Sequence, residues 1–493
     1  MEVDEATKRL RECAETLEAI VEDRRLLDRL DDDAKRALLI AAGRISAPER
    51  SELRRLAKAR RRDERRAARR ADEQVLDSTT IRKLRAAPVF DAPPMLPATS
   101  SEPNDEREAG ELNAKRKCYV CKRSFQTVHH FYDQMCEACA ELNLARRNQT
   151  ADLGGRVAIV TGARVKIGFH AAIKLLRAGA SVIATTRFPH DAAQRYAKED
   201  GFDEWSSRLS IYGLDLRHTP SVERFCVHLD AMLPRLDFIL NNACQTVRRP
   251  AGFYQHLMDA ELSAGASSRT RSLLVGHHAL RAGALARTMN AALPDSAAMS
   301  QVALLPEDLG RDLRIFPEGR LDADLQQVDL RERNSWRLTL DAVPTVELLE
   351  VQLVNAVAPY VLNGRLRALM RRSPERDKHI VNVSAMEGQF YRRFKTDKHP
   401  HTNMAKAALN MMTRTSATDY VTEGIHMNSV DTGWITDEDP EAIAARKVEV
   451  HGFHPPLDVV DGAARIVDPI FRGFLTGEHL FGLFLKDYEP IAW

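Results

Sequence analysis

The chain has 493 residues, 44% of them hydrophobic, and its 72 Lys and Arg nearly balance 70 Asp and Glu for a net charge of +2. That length allows two to four domains of about 100–200 residues, and the near-neutral balance gives no global pull toward nucleic acid. There is no run of about 18 apolar residues, so no membrane-spanning helix is expected, and the acidic start Met1-Glu2-Val3-Asp4-Glu5 lacks the apolar segment of a secretory signal.

Residues 1–86 read as a charged helical region. Leu10, Leu17, Ile20 and Val21 recur at helical spacing, and Leu26, Leu27 and Leu30 extend the stripe. The first half is acidic, to Asp31-Asp32-Asp33; the second is basic, with ten Arg or Lys between Arg54 and Arg70. Ser46 reads as the N-cap of the basic helix, with Pro48 in its first turn. The basic stretch is either a solvated face or a surface for an acidic protein or nucleic acid, and the lack of aromatics among the arginines weakens a stacking role. Residues 87–112 read as a linker, broken by Pro88, Pro93, Pro94, Pro97 and Pro103.

Residues 113–150 hold Cys118-x2-Cys121 and, after 14 residues, Cys136-x2-Cys139. Two tight turns, each presenting two thiolates, complete a tetrahedron around zinc. Four thiolates close the site, so the metal would be structural; His129 and His130 lie between the pairs as substitutes. A knuckle, a hairpin and a helix would make a small treble-clef-like module. The other three cysteines, Cys13, Cys226 and Cys244, are scattered, which argues against a disulfide framework and for a reducing, cytoplasmic setting.

From about residue 151 to 493 strands alternate with helices, the pattern of a doubly wound parallel sheet, a Rossmann fold. Val157–Val160, Ser181–Thr186, Leu209–Tyr212, Phe238–Leu240, Ile380–Val383, Ile425–Val430 and Leu480–Phe484 read as strands, Val346–Arg371 and Met404–Asp419 as helices. The alternation fails over about 250–340, which reads as an inserted, partly helical subdomain covering the substrate side. After the first strand comes Thr161-Gly162-Ala163-Arg164-Val165-Lys166-Ile167-Gly168. A strand, a glycine turn and a helix start place backbone amides around a pyrophosphate.

Further residues follow in order: Asp215-Leu216, Asn241-Asn242-Ala243, Asn355, Ser384, Lys406 and Thr432-Gly433. In this ordered set the chain resembles the short-chain dehydrogenase/reductase family. The resemblance implies Gly162 and Gly168 at the coenzyme phosphates, Asp215 near the adenine, and Asn242 and Ala243 on its ribose side. Thr161, Ile167, Leu216, Thr432 and Gly433 belong to the same coenzyme-binding set. Two departures stand out. Lys166 replaces the family's middle glycine, and Thr185-Thr186-Arg187 ends the second strand without a carboxylate. Arg164, Lys166 and Arg187 therefore favour NADP over NAD.

The resemblance also implies that Ser384 orients a substrate oxygen, Lys406 holds the nicotinamide ribose and Asn355 supports a proton-carrying water. The family's tyrosine, four residues before the lysine, is Thr402 here. An aliphatic hydroxyl is a far poorer acid than a phenol of pKa about 10. Tyr391, His401 and His399 are the replacements in that order. Arg248 and Arg249 point to a polar or anionic small-molecule substrate, unless Glu387 pairs with one of them. Two functions remain open: an NADP-dependent oxidoreductase acting on a carbonyl/hydroxyl pair, or a non-catalytic NADP-binding scaffold. In the second, the zinc module and residues 1–86 bind protein partners. A homo-oligomer is expected by resemblance alone.

Overall fold

The computed structural model describes residues 2–48, 50–90, 108–262, 268–287, 294–310, 312–391, 395–435, 438–451 and 454–493. The linker prolines Pro93, Pro94, Pro97 and Pro103 lie outside the described residues. Two compact units divide the chain, Met1–Gln74 and Val75–Trp493.

The first unit consists of the helices Glu2–Glu22 and Asp32–Ser46, a 3-10 turn Arg24–Arg29, and most of the helix Arg50–Asp77. The expected apolar stripe is interrupted, because Asp23 caps the 3-10 turn through the amide of Arg25. Ser46 does not cap the basic helix: it ends the preceding one, its hydroxyl bonded to the Gly43 carbonyl at 3.2 Å. Among the described residues of this unit only Leu27 is buried, so these helices have no core of their own.

In the second unit the helix Thr80–Ala86 precedes a two-stranded antiparallel hairpin, β1 (Glu108–Lys117) and β2 (Ser124–His129), which is followed by the helix Glu137–Asn148. β1 starts inside the stretch read as linker. Cys118 and Cys121 lie in the turn between the strands, so the knuckle is the hairpin's own turn and does not precede it.

An eight-stranded sheet follows, in the order β10-β9-β8-β7-β6-β3-β4-β5. Its strands are β3 (Val157–Thr161), β4 (Ser181–Thr186), β5 (Leu209–Gly213), β6 (Phe238–Asn241), β7 (Lys378–Ser384), β8 (Ile425–Asp431), β9 (Phe484–Lys486) and β10 (Glu489–Ile491). All neighbours run parallel except β9 and β10. The last parallel strand starts at Phe484, later than the expected Leu480. Strand order reverses at β3, which lies between β4 and β6. Ligands of such sheets bind beyond the carboxyl ends of the strands at this switch point.

Both faces of the sheet are covered. Ala158 and Val160 pack with helices Lys166–Arg177 and Val459–Thr476. Ile159 faces the opposite side, toward Phe225 and Leu229 of helix Thr219–Met232 and toward Leu362 and Leu366. This double burial explains why the strands read as unbroken apolar runs. The segment Thr345–Met370 reaches a mean hydropathy of 1.2, enough by length and composition to cross a membrane. Its Val351, Leu362, Leu366 and Leu369 are instead core residues. It is not one regular helix: residues Leu353–Val357 form a π-turn between α-helical halves, with Asn355 at its centre.

The insertion is helical in part, with Gln255–Leu262, Val275–Arg287 and several 3-10 turns. Phe253, Tyr254, Leu257, Met258 and Phe316 pack on Phe188, next to the end of β4.

The cysteine module is fastened to the sheet domain by a buried charge network. Arg147 donates to Asp458 at 2.6 and 2.8 Å and to Asp461 at 2.9 Å, and the Tyr132 hydroxyl donates to Asp461 at 2.6 Å. Removing one partner of a buried pair leaves an uncompensated charge. Arg147→Ala is predicted to destabilise the unit by about 3–5 kcal/mol, read as a lower urea midpoint. An unchanged midpoint would contradict this reading of the network.

Candidate functional site

The turn after β3 is closed by the end of β6. The Asn242 side-chain amide donates to the carbonyls of Thr161 (2.9 Å) and Gly162 (3.3 Å), and the Ala243 amide donates to the Thr161 hydroxyl (3.0 Å). Gly162 has φ +66°, and a Cβ there would lie 2.9 Å from the Ala243 Cα. A Cβ on Gly168 would lie 2.4 Å from the Gly162 carbonyl oxygen and 2.3 Å from the Asn242 amide nitrogen. Neither position has room for a side chain, so the helix Lys166–Arg177 begins against the strand and its first amides face the switch point. Lys166 adopts φ 55°, a left-handed backbone that costs a non-glycine residue on the order of 1–3 kcal/mol.

A cavity of about 820 Å³ opens over this turn. Ten residues of the expected coenzyme set line it: Gly162, Arg164, Lys166, Ile167, Gly168, Arg187, Asp215, Leu216, Asn242 and Ala243. Thr161 does not line it, because its hydroxyl is spent between the Ala243 amide and the Leu240 carbonyl. Lys406, Thr432 and Gly433 also lie outside its lining. The far wall comes from the insertion, with Tyr254 and residues 320–322 and 326–329, and from residues 438–441 and Ala444. These wall residues carry no signal in sequence, since partners such as Arg187 for Tyr254, Arg249 for Asp329 and Arg164 for Gln326 lie about 70 to 160 positions away.

The cations are not free. Arg164 is buried and donates to Asp191 (2.8 Å) and Gln326 (3.3 Å). Burial opposes the Asp191 charge, yet Arg164 and Arg195 outweigh it and hold the carboxyl below its ordinary pKa. The Lys166 ammonium lies 3.8 Å from Asp324, whose pKa burial raises against that attraction. Arg187 stacks over Tyr254 at 4.4 Å and donates to its hydroxyl at 2.7 Å. Asp215 is clasped by Arg217, which also reaches Glu350 at 2.8 Å. Arg248 pairs with Asp308, Glu307 and Glu350, and Arg249 with Asp329. The arginines read as substrate anchors are therefore held by carboxylates of the insertion and of helix Thr345–Gln352, and Glu387 is not their partner.

The family's catalytic positions lie outside the lining of this cavity. Ser384 ends β7, and Lys406 donates to the neighbouring Val383 carbonyl at 2.8 Å. Helix Pro400–Val421 starts earlier than expected and carries His401, Thr402 and Lys406 in its first two turns, all buried. The Ser384 hydroxyl, the Thr402 hydroxyl and both ring nitrogens of His401 are buried without a hydrogen-bond partner among the described residues. The nearest carboxylate to His401 is Glu347, at 4.0 Å. Burial, with His399 adding to it, lowers His401 to a pKa of about 4, so the ring is neutral at pH 7.

Two expectations fail here. Tyr391 is 95% exposed and cannot serve a buried site. His399 is stacked on Trp336 at 3.9 Å with its Nδ1 against the Trp336 carbonyl, fixing the insertion to the helix start. The Asn355 side-chain amide accepts from the Gln245 N–H at 2.8 Å and donates to its carbonyl at 2.9 Å, which ties the π-turn to the loop after β6. Beneath the site lies a network the sequence did not reveal. Asn241 donates to Asn363 and Asn382, and Asn382 donates to Thr413, at 2.8–2.9 Å. Its one sequence signal was polar Asn inside apolar strands.

In the cysteine module all four Sγ atoms lie within 4.8 Å of one another, and Cys121 and Cys136 are 3.6 Å apart. A zinc–sulfur bond of 2.3 Å implies tetrahedral edges of about 3.8 Å, so the donor set fits a metal ion. A bond from Arg123 lowers Cys121 to a pKa of about 6, favouring the thiolate. His129 is not a ligand: its Nδ1 accepts from the Phe131 amide at 3.0 Å and its Nε2 faces Glu141 at 3.3 Å.

Residues 156–262 match the short chain dehydrogenase family, and residues 339–453 match the Enoyl-(Acyl carrier protein) reductase family. The gap between the two matches falls in the insertion. The chain is 30% identical over 373 residues to Uncharacterized protein R665 of Acanthamoeba polyphaga mimivirus, covering 72% of this chain and 71% of that protein. It is 33% identical over 104 residues to Dehydrogenase/reductase SDR family member 13 of Bos taurus, 20% of this chain and 27% of that one. The Pseudomonas aeruginosa RhlG/NADP active-site complex aligns at 18% identity and a TM-score of 0.43, over 68% of this chain and 95% of that one. The chain has the fold of the short-chain dehydrogenase family.

Proposed function

We propose that the chain is an oxidoreductase that binds NADP in the switch-point cavity and acts on a carbonyl/hydroxyl pair. The observation that carries the catalytic half is that the Ser384 hydroxyl, the Thr402 hydroxyl and the His401 ring nitrogens are each buried without a partner among the described residues, with Lys406 bonded to the carbonyl next to Ser384. Buried polar atoms without partners cost about 1–3 kcal/mol each, a cost that a bound polar substrate or water would relieve. When bound, NADPH supplies the hydride. Gly162, Gly168 and the following amides take the pyrophosphate, and Arg187 meets the 2′-phosphate. Ser384 orients the substrate oxygen and Lys406 the ribose. With Tyr391 and His399 placed elsewhere, His401 is the remaining proton carrier of the three, next to Thr402. The four cysteines hold a structural zinc.

One observation favours a second reading, a non-catalytic NADP-binding protein. Ser384, Thr402 and Lys406 do not line the cavity.

NADPH absorbance with a panel of aldehydes, ketones and quinones separates the two. Turnover is expected to fall about 100-fold or more in Lys406→Ala and in His401→Asn, and to persist in Tyr391→Phe. Turnover indifferent to both changes removes the catalytic assignment; NADPH binding without turnover favours the second reading. Metal analysis is expected to give one zinc per chain, lost in Cys118→Ser. A metal-free native protein of unchanged stability would refute the zinc site.

His401 also predicts a pH dependence. Its folded pKa of about 4 lies below an unfolded value of about 6.5. The unfolded chain therefore takes the proton first, and the stability contributed above pH 6.5 is lost as pH falls toward 4. Between those limits the wild type is expected to lose up to about 3 kcal/mol more than His401→Asn. Equal losses in urea titrations would show that the ring is not held neutral.

A further inference from the structure

The cysteine module reaches the loop after β8, on the half of the switch-point site opposite the adenine end. Tyr119 stands inside the first knuckle, between Cys118 and Cys121. Its amide donates to the Gln134 carbonyl at 2.8 Å, which fixes it to the second half of the module. Its hydroxyl accepts the main-chain N–H of Trp434 at 3.0 Å. The contact is close-fitted: a Cβ on Gly433 would lie 3.2 Å from the Tyr119 oxygen and 2.4 Å from Leu457. The Lys486 ammonium sits over the Tyr119 ring at 5.4 Å.

The connection continues inward. The Gly433 amide donates to one oxygen of the buried Asp431 at 2.8 Å, and the Met386 amide donates to the other at 2.8 Å. Met386 is two residues past Ser384, and Ser384 is the β7 partner of Asp431. One carboxylate thus ties the loops after β7 and β8 together, and Tyr119 holds the outer end of that pair. Ile435, Leu457 and Val459 share one apolar cluster with Phe131, Met135 and Cys139 of the module. The module is therefore packed onto the loop as well as hydrogen-bonded to it.

We propose that Tyr119 is a positioning residue for the coenzyme: from inside the cysteine knuckle it sets the loop 431–434, beyond the lining of the cavity, for contact with the nicotinamide half. This rests on the coenzyme reading above. In a doubly wound sheet the two mononucleotide halves lie on opposite sides of the switch point, so the adenine half, over β4 and β5, should not sense this loop.

The test uses the full zinc-loaded chain and two probes, NADPH and 2′,5′-ADP, which lacks the nicotinamide half. Tyr119→Phe keeps the ring and removes the acceptor. Its Kd for NADPH is expected to rise about five- to tenfold while its Kd for 2′,5′-ADP stays within about twofold of wild type. Trp434→Pro removes the donor from the other side, at a half-exposed position, without touching the module. It is expected to show the same selective loss, and the double variant no further loss. A general loss of packing would weaken both probes together. If both variants bind both probes as the wild type does, or weaken them equally, the positioning role is wrong. If the wild type binds neither probe, the coenzyme reading itself fails and takes this proposal with it.

Discussion

The organisation of the site follows from one steric constraint: the end of β6 lies so close to the turn after β3 that neither Gly162 nor Gly168 has space for a Cβ. That approach lets Asn242 and Ala243 seal the turn with side-chain and main-chain hydrogen bonds. It also starts the following helix at the switch point, with its amides pointing into an open cavity. The sheet order, the two apolar faces and the inserted wall all keep these two strand ends together. The left-handed Lys166 is the local expense of closing the turn without a third glycine.

Charge is managed in an unusual way around this turn. Each cation expected at the phosphates or the substrate already has a partner, and many of the partners come from the insertion or the helix after it. Buried cations without counter-charges would be costly, and the carboxylates of the insertion reduce that cost. An entering dinucleotide must then exchange carboxylates for its own phosphates. Affinity in such a site reflects the difference between two sets of ion pairs, and not the number of arginines and lysines.

Much of the architecture was legible in sequence because it depends on local pattern. Strands buried on both faces read as apolar runs, and β3 to β8 fell where those runs lie. The two Cys-x2-Cys pairs mark, through spacing alone, the cluster that could hold a metal ion. What could not be read depends on contacts between distant residues. The partners of Arg248 lie about 60 to 100 positions away, so sequence leaves open whether it meets a substrate or a carboxylate. Tyr391 offers a phenol in sequence, but its exposure is set by tertiary packing, which no short-range pattern encodes. The π-turn at Asn355 sits inside an uninterrupted apolar helix signal. The early start of helix Pro400–Val421 was hidden by the loop-like composition of Lys398-His399-Pro400-His401, though proline is well suited to a first turn.

The cysteine module is integral to this arrangement, joined to the sheet domain by Arg147, Tyr132 and a shared apolar cluster, and so it bears on the half of the site where chemistry would occur. All of it presupposes that a pyridine dinucleotide occupies the cavity at the end of β3. Isothermal titration of the full chain with NADPH measures this directly. The account predicts saturable binding near one ligand per chain, abolished or greatly weakened in Gly168→Ala. Absence of any binding heat together with an unshifted melting temperature at saturating NADPH, or undiminished binding by Gly168→Ala, would contradict it.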